Sequence, residues 1–310
     1  GVYTIFGHTY EAVWIIQAML LGMTAFLMFP ISKVFFREEW NPIIGIVAAF
    51  CIGFSPDLIT VSAMLMTETV FLFLVVLGIY YVSRYIEKRS YLCIAGAGVA
   101  LAGAALTRSN VLFILIPIIL FLWYHKDKKA IITFLMCFVF AILPWTIRNY
   151  IVHGDIRPFN AALALIHVGN HDGATGELIP NYPIPESIGD HTLLSQLEFD
   201  KALRDVGIAY ILENPLQFIR LTFLRISIYA SIARPFAFWP HLHGIWFMIT
   251  ATASVFYASA MIVLGSMGGI LFWKNAVLKK TKEKALLLLG FLVMTPIPVI
   301  FLIVETRYRF

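Results

Sequence analysis

"AIITFLMCFVFAILPWTIRNYIVHGD", residues 130–155, decides how this chain is read. Residues 130–147 contain no charge. As a helix rising about 1.5 Å per residue, they extend roughly 27 Å. The hydrocarbon core of a bilayer is about 30 Å thick. The stretch therefore reads as a membrane-spanning helix, and it ends on Arg148 and Asn149 before a long polar segment. The whole chain agrees with this reading. It has 310 residues, 60% hydrophobic and 13% charged, with a mean hydropathy of +0.84. A soluble domain carries about 25% charged residues.

The expected fold is therefore all-α and polytopic. Eight spans are predicted, near 11–32, 42–56, 67–86, 91–107, 110–124, 130–149, 246–272 and 285–304. Pro56 is read as the end of the short second span. Residues 1–149 form the first group of six spans, 150–245 an extramembrane segment, and 246–310 the last group. Tryptophans 14, 40, 123, 145, 246 and 273 fall near span ends, as interfacial anchors do. Gly1 opens no signal peptide, and "VETRYRF" breaks off inside a pattern, so the sequence reads as an internal part of a longer protein.

Short basic loops set orientation. "RYIEKRS" at 84–90, "HKDKK" at 125–129 and "KNAVLKKTKEK" at 274–284 mark the inside, together with the 33–41 turn. The outside then receives the 57–67 turn, "TRSN" at 107–110, residues 150–245 and "ETRYRF". A ninth span within 214–236 would force the lysine-rich 274–284 loop outside. That segment, interrupted by Arg220 and Arg225, is read instead as an amphipathic helix in the outer interface.

The two sides differ in the kind of base they hold. The inner loops carry ten lysines and three arginines, the outside nine arginines and only Lys201. The lysines follow from the positive-inside rule, but the outer arginines do not. Guanidinium binds phosphate or carboxylate through a planar fork, so the outer face is suited to an anion such as a lipid phosphate. The net charge of +5 and pI near 9.1 do not point to nucleic acid, because the basic residues alternate with hydrophobic spans. Cys51, Cys93 and Cys137 lie inside apolar runs and read as packing residues.

Within 150–215, "NHDGATGELIPNYPIPESIGDH" is turn-rich and "HTLLSQLEFDKALRDVGIAYILENP" is helical, with Thr192 as its expected cap. Several residues carry chemistry, each with a plainer alternative. Arg148 and Asn149 at a span end are either phosphate contacts or a snorkelling pair. Arg108 follows the small-residue run "AGAALT" and is placed to face a cavity. Asp57 and Glu68 flank an outer turn; each is a candidate base, orienting or metal-binding carboxylate, and Glu68 is equally a helix-dipole partner. His153, His167, His171, His191, His241 and His243 lack the recurring spacing of metal ligands. "GNHDGATG" follows no strand and opens no helix, so it is not a phosphate loop.

Taken in order, "ETVFLFLVVLGIYYVSRY", "YLCIAGAGVALAGAALTRSNVLFILIPIIL", "PWTIRNYIVHGDIRPFN", "GNHDGATG" and "ETRYRF" resemble the dolichyl- or polyprenyl-phosphate-sugar glycosyltransferases of the GT-C class. This group includes protein O-mannosyltransferase-like and aminoarabinose-transferase-like bacterial enzymes. The resemblance implies transfer, with inversion, of a sugar from a polyprenyl-phosphate donor to a hydroxyl of a protein, lipid or glycan. The reaction would take place on the outer side of a membrane, most in keeping with the periplasmic side of a bacterial inner membrane. No cofactor is required, and a divalent metal is compatible.

By the same resemblance, the main acidic base lies before Gly1. Glu68 matches a second outer acidic position, and Arg108, Arg148, Asn149, Arg307 and Tyr308 match outer lipid-phosphate positions. His171 and Asp172 are acceptor-side candidates. The competing reading is a transporter or flippase of polyprenyl-linked lipids, which needs outer arginines but no base.

Overall fold

The computed structural model describes residues 10–36, 40–154, 156, 158, 164–177, 182–189, 194–230, 244–278 and 281–302. Among these the structure is all-α, with no strand. Contacts divide the chain into two units: residues 1–160 with 241–294 and Phe310, and residues 161–240 with 295–309.

The first unit is a bundle. In chain order it contains α1 (Tyr10–Phe35), α2 (Asn41–Gly53), α3 (Pro56–Ala63), α4 (Glu68–Lys88), α5 (Tyr91–Thr107), α6 (Leu112–Tyr124) and α7 (Lys128–His153). Among the described residues, five helical stretches are long and apolar enough to cross a membrane: Tyr10–Phe35, Glu68–Lys88, Lys128–Val152, Ile245–Ala276 and Lys282–Leu302. The number rises to six if the bent pair α2–α3 is one span. Eight spans were expected. The difference lies in Tyr91–Thr107 and Ser109–Tyr124, which are apolar but shorter than 18 residues. At about 1.5 Å per residue, α5 reaches roughly 25 Å, short of the full hydrocarbon thickness.

α2 stops at Gly53, just short of Pro56, and a second helix follows at once. Ser55 accepts a hydrogen bond from the Leu58 amide (3.3 Å), and Pro56 occupies the first turn of the new helix α3, which departs from α2 at 49°. Proline suits that turn because its missing N–H would have no helical partner there. Asp57 thereby moves from a turn onto a buried helix.

Small residues set the spacing at the centre of the bundle. A Cβ at Gly78 would meet Leu101, one at Gly96 the Tyr81 ring at 3.1 Å, and one at Gly98 the Phe134 carbonyl oxygen at 2.6 Å. The "AGAGVALAGAA" surface of α5 therefore brings α4 and α7 close on either side, which is how apolar helices associate without a hydrophobic driving force between them. Val82, Ile94, Ala97, Leu101, Phe134 and Ile118 are buried in this core.

α7 begins on Asp127, whose carboxylate accepts from the Ala130 amide (3.0 Å) and from the Tyr85 hydroxyl. It runs four residues beyond the predicted end at Asn149, to a left-handed Gly154 at φ 70°. The last described helices of this unit are α11 (Ile245–Leu278) and α12 (Lys282–Met294).

The second unit comprises α8 (Leu165–Gly169), α9 (Gln196–Glu213), α10 (Pro215–Ala230) and α13 (Ile297–Leu302). Thr192, the expected cap of α9, lies outside the described residues. Ser195 caps the helix instead, in a reciprocal box with Glu198. α10 covers the described part of the segment read as interfacial. Its Arg225 does not reach for headgroups: it is completely buried.

Candidate functional site

The chain path sorts the first unit into two ends. Gln17 Nε2 on α1 donates to the Met66 carbonyl (2.8 Å), and Ser254 Oγ on α11 donates to Asp57 Oδ1 (2.8 Å). Glu68 opens α4 and Arg108 follows the last residue of α5, and the two side chains form an ion pair. α7 starts at the opposite end, where Asp127 meets Tyr85, so its C-terminal residues Arg148 and Asn149 arrive at the Glu68–Arg108 end. The other end holds Arg84 and Glu87, which pair, and Lys284 Nζ, which donates to the Val34 carbonyl (3.1 Å).

Arg108 is held by Glu68 at the end of α5. Its side chain is 23% exposed and that of Glu68 11%. The carboxylate orients the guanidinium fork before any ligand arrives. Arg148 is exposed, lies 5.0 Å above the Trp145 ring centre and donates to Asn149 Oδ1 (3.1 Å), while Asn149 is buried. Stacking on an indole holds an arginine at a membrane interface.

Asp57 is only 1% exposed. Neighbouring Tyr257 donates to the Cys51 carbonyl (2.6 Å), so α11 is fastened to the α2–α3 break at two points. Arg307 and Tyr308 lie outside the described residues, as do His191, His241 and His243.

In the second unit the structure brings together residues that the sequence reading left apart. Arg225 on α10 donates to the Gly169 carbonyl, to Asn170 Oδ1 (3.0 Å) and to the Phe301 carbonyl (3.1 Å). A Cβ at Gly169 would run into the Leu302 carbonyl, so the first glycine of "GNHDGATG" is required for close approach. Burial pushes the Arg225 guanidinium down to about 10, still far above neutral pH. The sequence did contain a signal: an arginine inside an apolar helix needs partners. Nothing in the sequence said which partners.

His167 and His171 are both buried, with ring centres 5.6 Å apart. His167 Nε2 lies 2.9 Å from the Pro183 carbonyl and His171 Nδ1 lies 2.7 Å from the Asp172 carbonyl. A carbonyl only accepts, so His167 Nε2 and His171 Nδ1 are the donors in these contacts. Burial lowers the His167 pKa below its usual value. Asp172 is exposed. Among the described residues no group of three or more His, Cys, Asp or Glu is placed to share a metal ion.

No curated protein and no solved structure gives a significant match to the chain. Residues 1–147 match the family model described as dolichyl-phosphate-mannose-protein mannosyltransferase. The matched stretch contains the Glu68–Arg108 pair and the close-packed helices α4, α5 and α7 up to Ile147.

Proposed function

We propose that this protein transfers a sugar from a polyprenyl-phosphate donor to an acceptor hydroxyl, with inversion, at the membrane face where α5 ends in Arg108. The acceptor oxygen attacks the anomeric carbon on the side opposite the phosphate. The bond from that carbon to the phosphate oxygen breaks, and the electron pair leaves with polyprenyl phosphate. The acceptor proton passes to a carboxylate base. Negative charge grows on the departing phosphate, and a preoriented guanidinium stabilises it most where water is scarce.

The observation that carries this reading is the Glu68–Arg108 pair. It is a cation held in place by its own carboxylate, at the end of a small-residue helix, within the family-matching part of the chain. Glu68 orients Arg108. Asp57 is a secondary acidic candidate tied to Ser254. Arg148 and Asn149 supply further phosphate contacts at the same end, and the resemblance adds Arg307 and Tyr308. His171 and Asp172 are assigned to the acceptor side, the acceptor being a protein, lipid or glycan. The orientation that puts the lysine-rich end in the cytoplasm puts this chemistry outside, in keeping with a bacterial inner membrane.

Transfer of labelled sugar from polyprenyl phosphate by the whole protein tests the reading. Arg108→Ala is expected to slow transfer by about 10²–10³-fold, the range for removing one donor to a developing anion. Arg108→Lys should retain part of the rate, because it keeps the charge but loses the fork. Wild-type transfer by both Arg108→Ala and Arg148→Ala would refute the phosphate assignment. The 49° break between α2 and α3 favours a second reading, transport of the lipid-linked sugar, since broken helices recur in transporters. Lipid movement without sugar transfer would select that reading.

A further inference from the structure

The lysine-rich end of the first unit contains a cavity of about 850 Å³, framed by the end of α1, the start of α2, α11 and α12. Its walls are predominantly apolar. The polar groups among its lining residues gather at one end: Asn275, Thr281, Lys284 and the indole of Trp40. Lys284 spends one N–H on the Val34 carbonyl and keeps two donors.

Along α11 the lining runs from Leu264 to Ala276. At 1.5 Å per residue that is roughly 18 Å, close to one leaflet's half of the ~30 Å hydrocarbon core. Gly265 and Gly268 belong to this wall, and a Cβ at either would meet nothing within 4 Å. The groove is thus one leaflet deep, greasy along its length, and cationic at the mouth.

We propose that this groove binds one acyl chain of an anionic diacyl phospholipid, with the headgroup phosphate at Lys284. The charge pattern argues for this occupant. Lys33, Lys274 and Lys282 join Lys284 at this end of the unit, and clustered lysines at a membrane surface draw anionic headgroups. Trp40 is half-exposed at the mouth, where an indole sits between headgroup and chain. A partner helix would bury the apolar length but would leave the Lys284 ammonium without an anion. The site lies at the opposite end from Arg108, and the inference is independent of the transferase reading.

The test uses the whole protein in nanodiscs of equimolar phosphatidylcholine and phosphatidylglycerol, with one lipid or the other brominated on its acyl chains. Quenching of Trp40 is read as the difference from a Trp40→Phe variant. Brominated phosphatidylglycerol is expected to quench Trp40 about fivefold more effectively than brominated phosphatidylcholine, the preference one lysine near the surface confers. Lys284→Gln should lower that ratio severalfold, any remainder being what Lys33, Lys274 and Lys282 contribute. Gly268→Leu fills open space on a helix without meeting a neighbour, so it should leave folding intact and lower quenching to the level that surrounding bilayer lipid gives an exposed Trp40.

Equal quenching by both lipids in the native protein, or a ratio unchanged by Lys284→Gln, would overturn the proposal. So would displacement of the bromolipid by polyprenyl phosphate, which would make this a donor-lipid site. Concentration-dependent loss of quenching accompanied by dimerisation would overturn it in favour of a second copy of the chain.

Discussion

Replacing Arg225 with Met is expected to open the "GNHDGATG" loop while leaving the first unit folded. Arg225 is fully buried, and its three bonds all go to neutral oxygens: the Gly169 and Phe301 carbonyls and the Asn170 side chain. Two opposing quantities set the size of the effect. Lowering the guanidinium pKa from 12.5 to about 10 corresponds to roughly 3 kcal/mol of desolvation, which the Met variant no longer bears. Against this, each hydrogen bond to a charged donor contributes about 1.5–3 kcal/mol, and each buried oxygen left without a donor costs about 1–3 kcal/mol. These two figures describe one loss, and counted once over three acceptors at about 1.5–3 kcal/mol each it exceeds the relief by about 3 kcal/mol at mid-range. That corresponds to about a hundredfold rise in local opening.

Hydrogen–deuterium exchange reads this directly. The amides of His167, Val168, Asn170 and Ala174 are all bonded within the loop: to Ala164 in the first two cases, then to His167 and His171. Peptides covering 164–177 should exchange about a hundredfold faster in Arg225→Met. Those from α4 and α5 should not change. Arg225→Lys should fall between, because an ammonium cannot present the planar fork that reaches three acceptors. Exchange in Arg225→Met within threefold of the native rate would refute the reasoning: the bonds would then be incidental to the loop.

Other outcomes follow from the same geometry. In a double-mutant cycle, Glu68→Ala and Arg108→Ala should be non-additive by about 1 kcal/mol in thermal stability, since the pair is partly exposed; additivity would mean that the two groups do not interact. Gly98→Leu should cost about 1–3 kcal/mol or abolish folding, because the Phe134 backbone already occupies the space a side chain needs; a folded variant with an unchanged melting temperature would refute this. Burial lowers the His167 pKa in the folded protein below its usual 6.5. The unfolded chain therefore binds the proton first, and the second unit should lose stability as pH falls below about 6.5. His167→Gln should flatten that part of the profile, measured by exchange of 164–177 against pH; a profile unchanged by the substitution would exclude His167 as the titrating group.

The spans were legible because a charge-free run of about 20 residues has few alternatives. Their ends were less so. Residues 42–56 read as one short span because both halves are apolar, and apolarity does not record direction. The break is written in "FSPD", where serine caps and proline starts a helix, a signal of starting rather than stopping. Asn149 read as a terminus because its polarity ends the apolar run, yet the helix continues to Gly154, the first residue there suited to a left-handed conformation. Composition marks where a chain leaves an apolar environment, whereas capping chemistry marks where a helix stops.

The outer arginines separate along the same line. All nine were read together because each violates the positive-inside expectation, and that grouping has one electrostatic cause. The structure divides those it describes by partner. Arg108 and Arg204 face carboxylates, Arg148 an indole and an amide, and Arg225 backbone and amide oxygens. Arg108 is 23% exposed and already carries a charged partner, so an anion arriving there meets a guanidinium that is oriented and in reach of solvent. A guanidinium buried entirely among carbonyls would have to give up those bonds to bind one. The same residue type, misplaced by the same rule, therefore has two jobs. Arg225 holds a loop, whereas Arg108 is the one proposed to meet a phosphate, and the distinction lies in what each side chain touches.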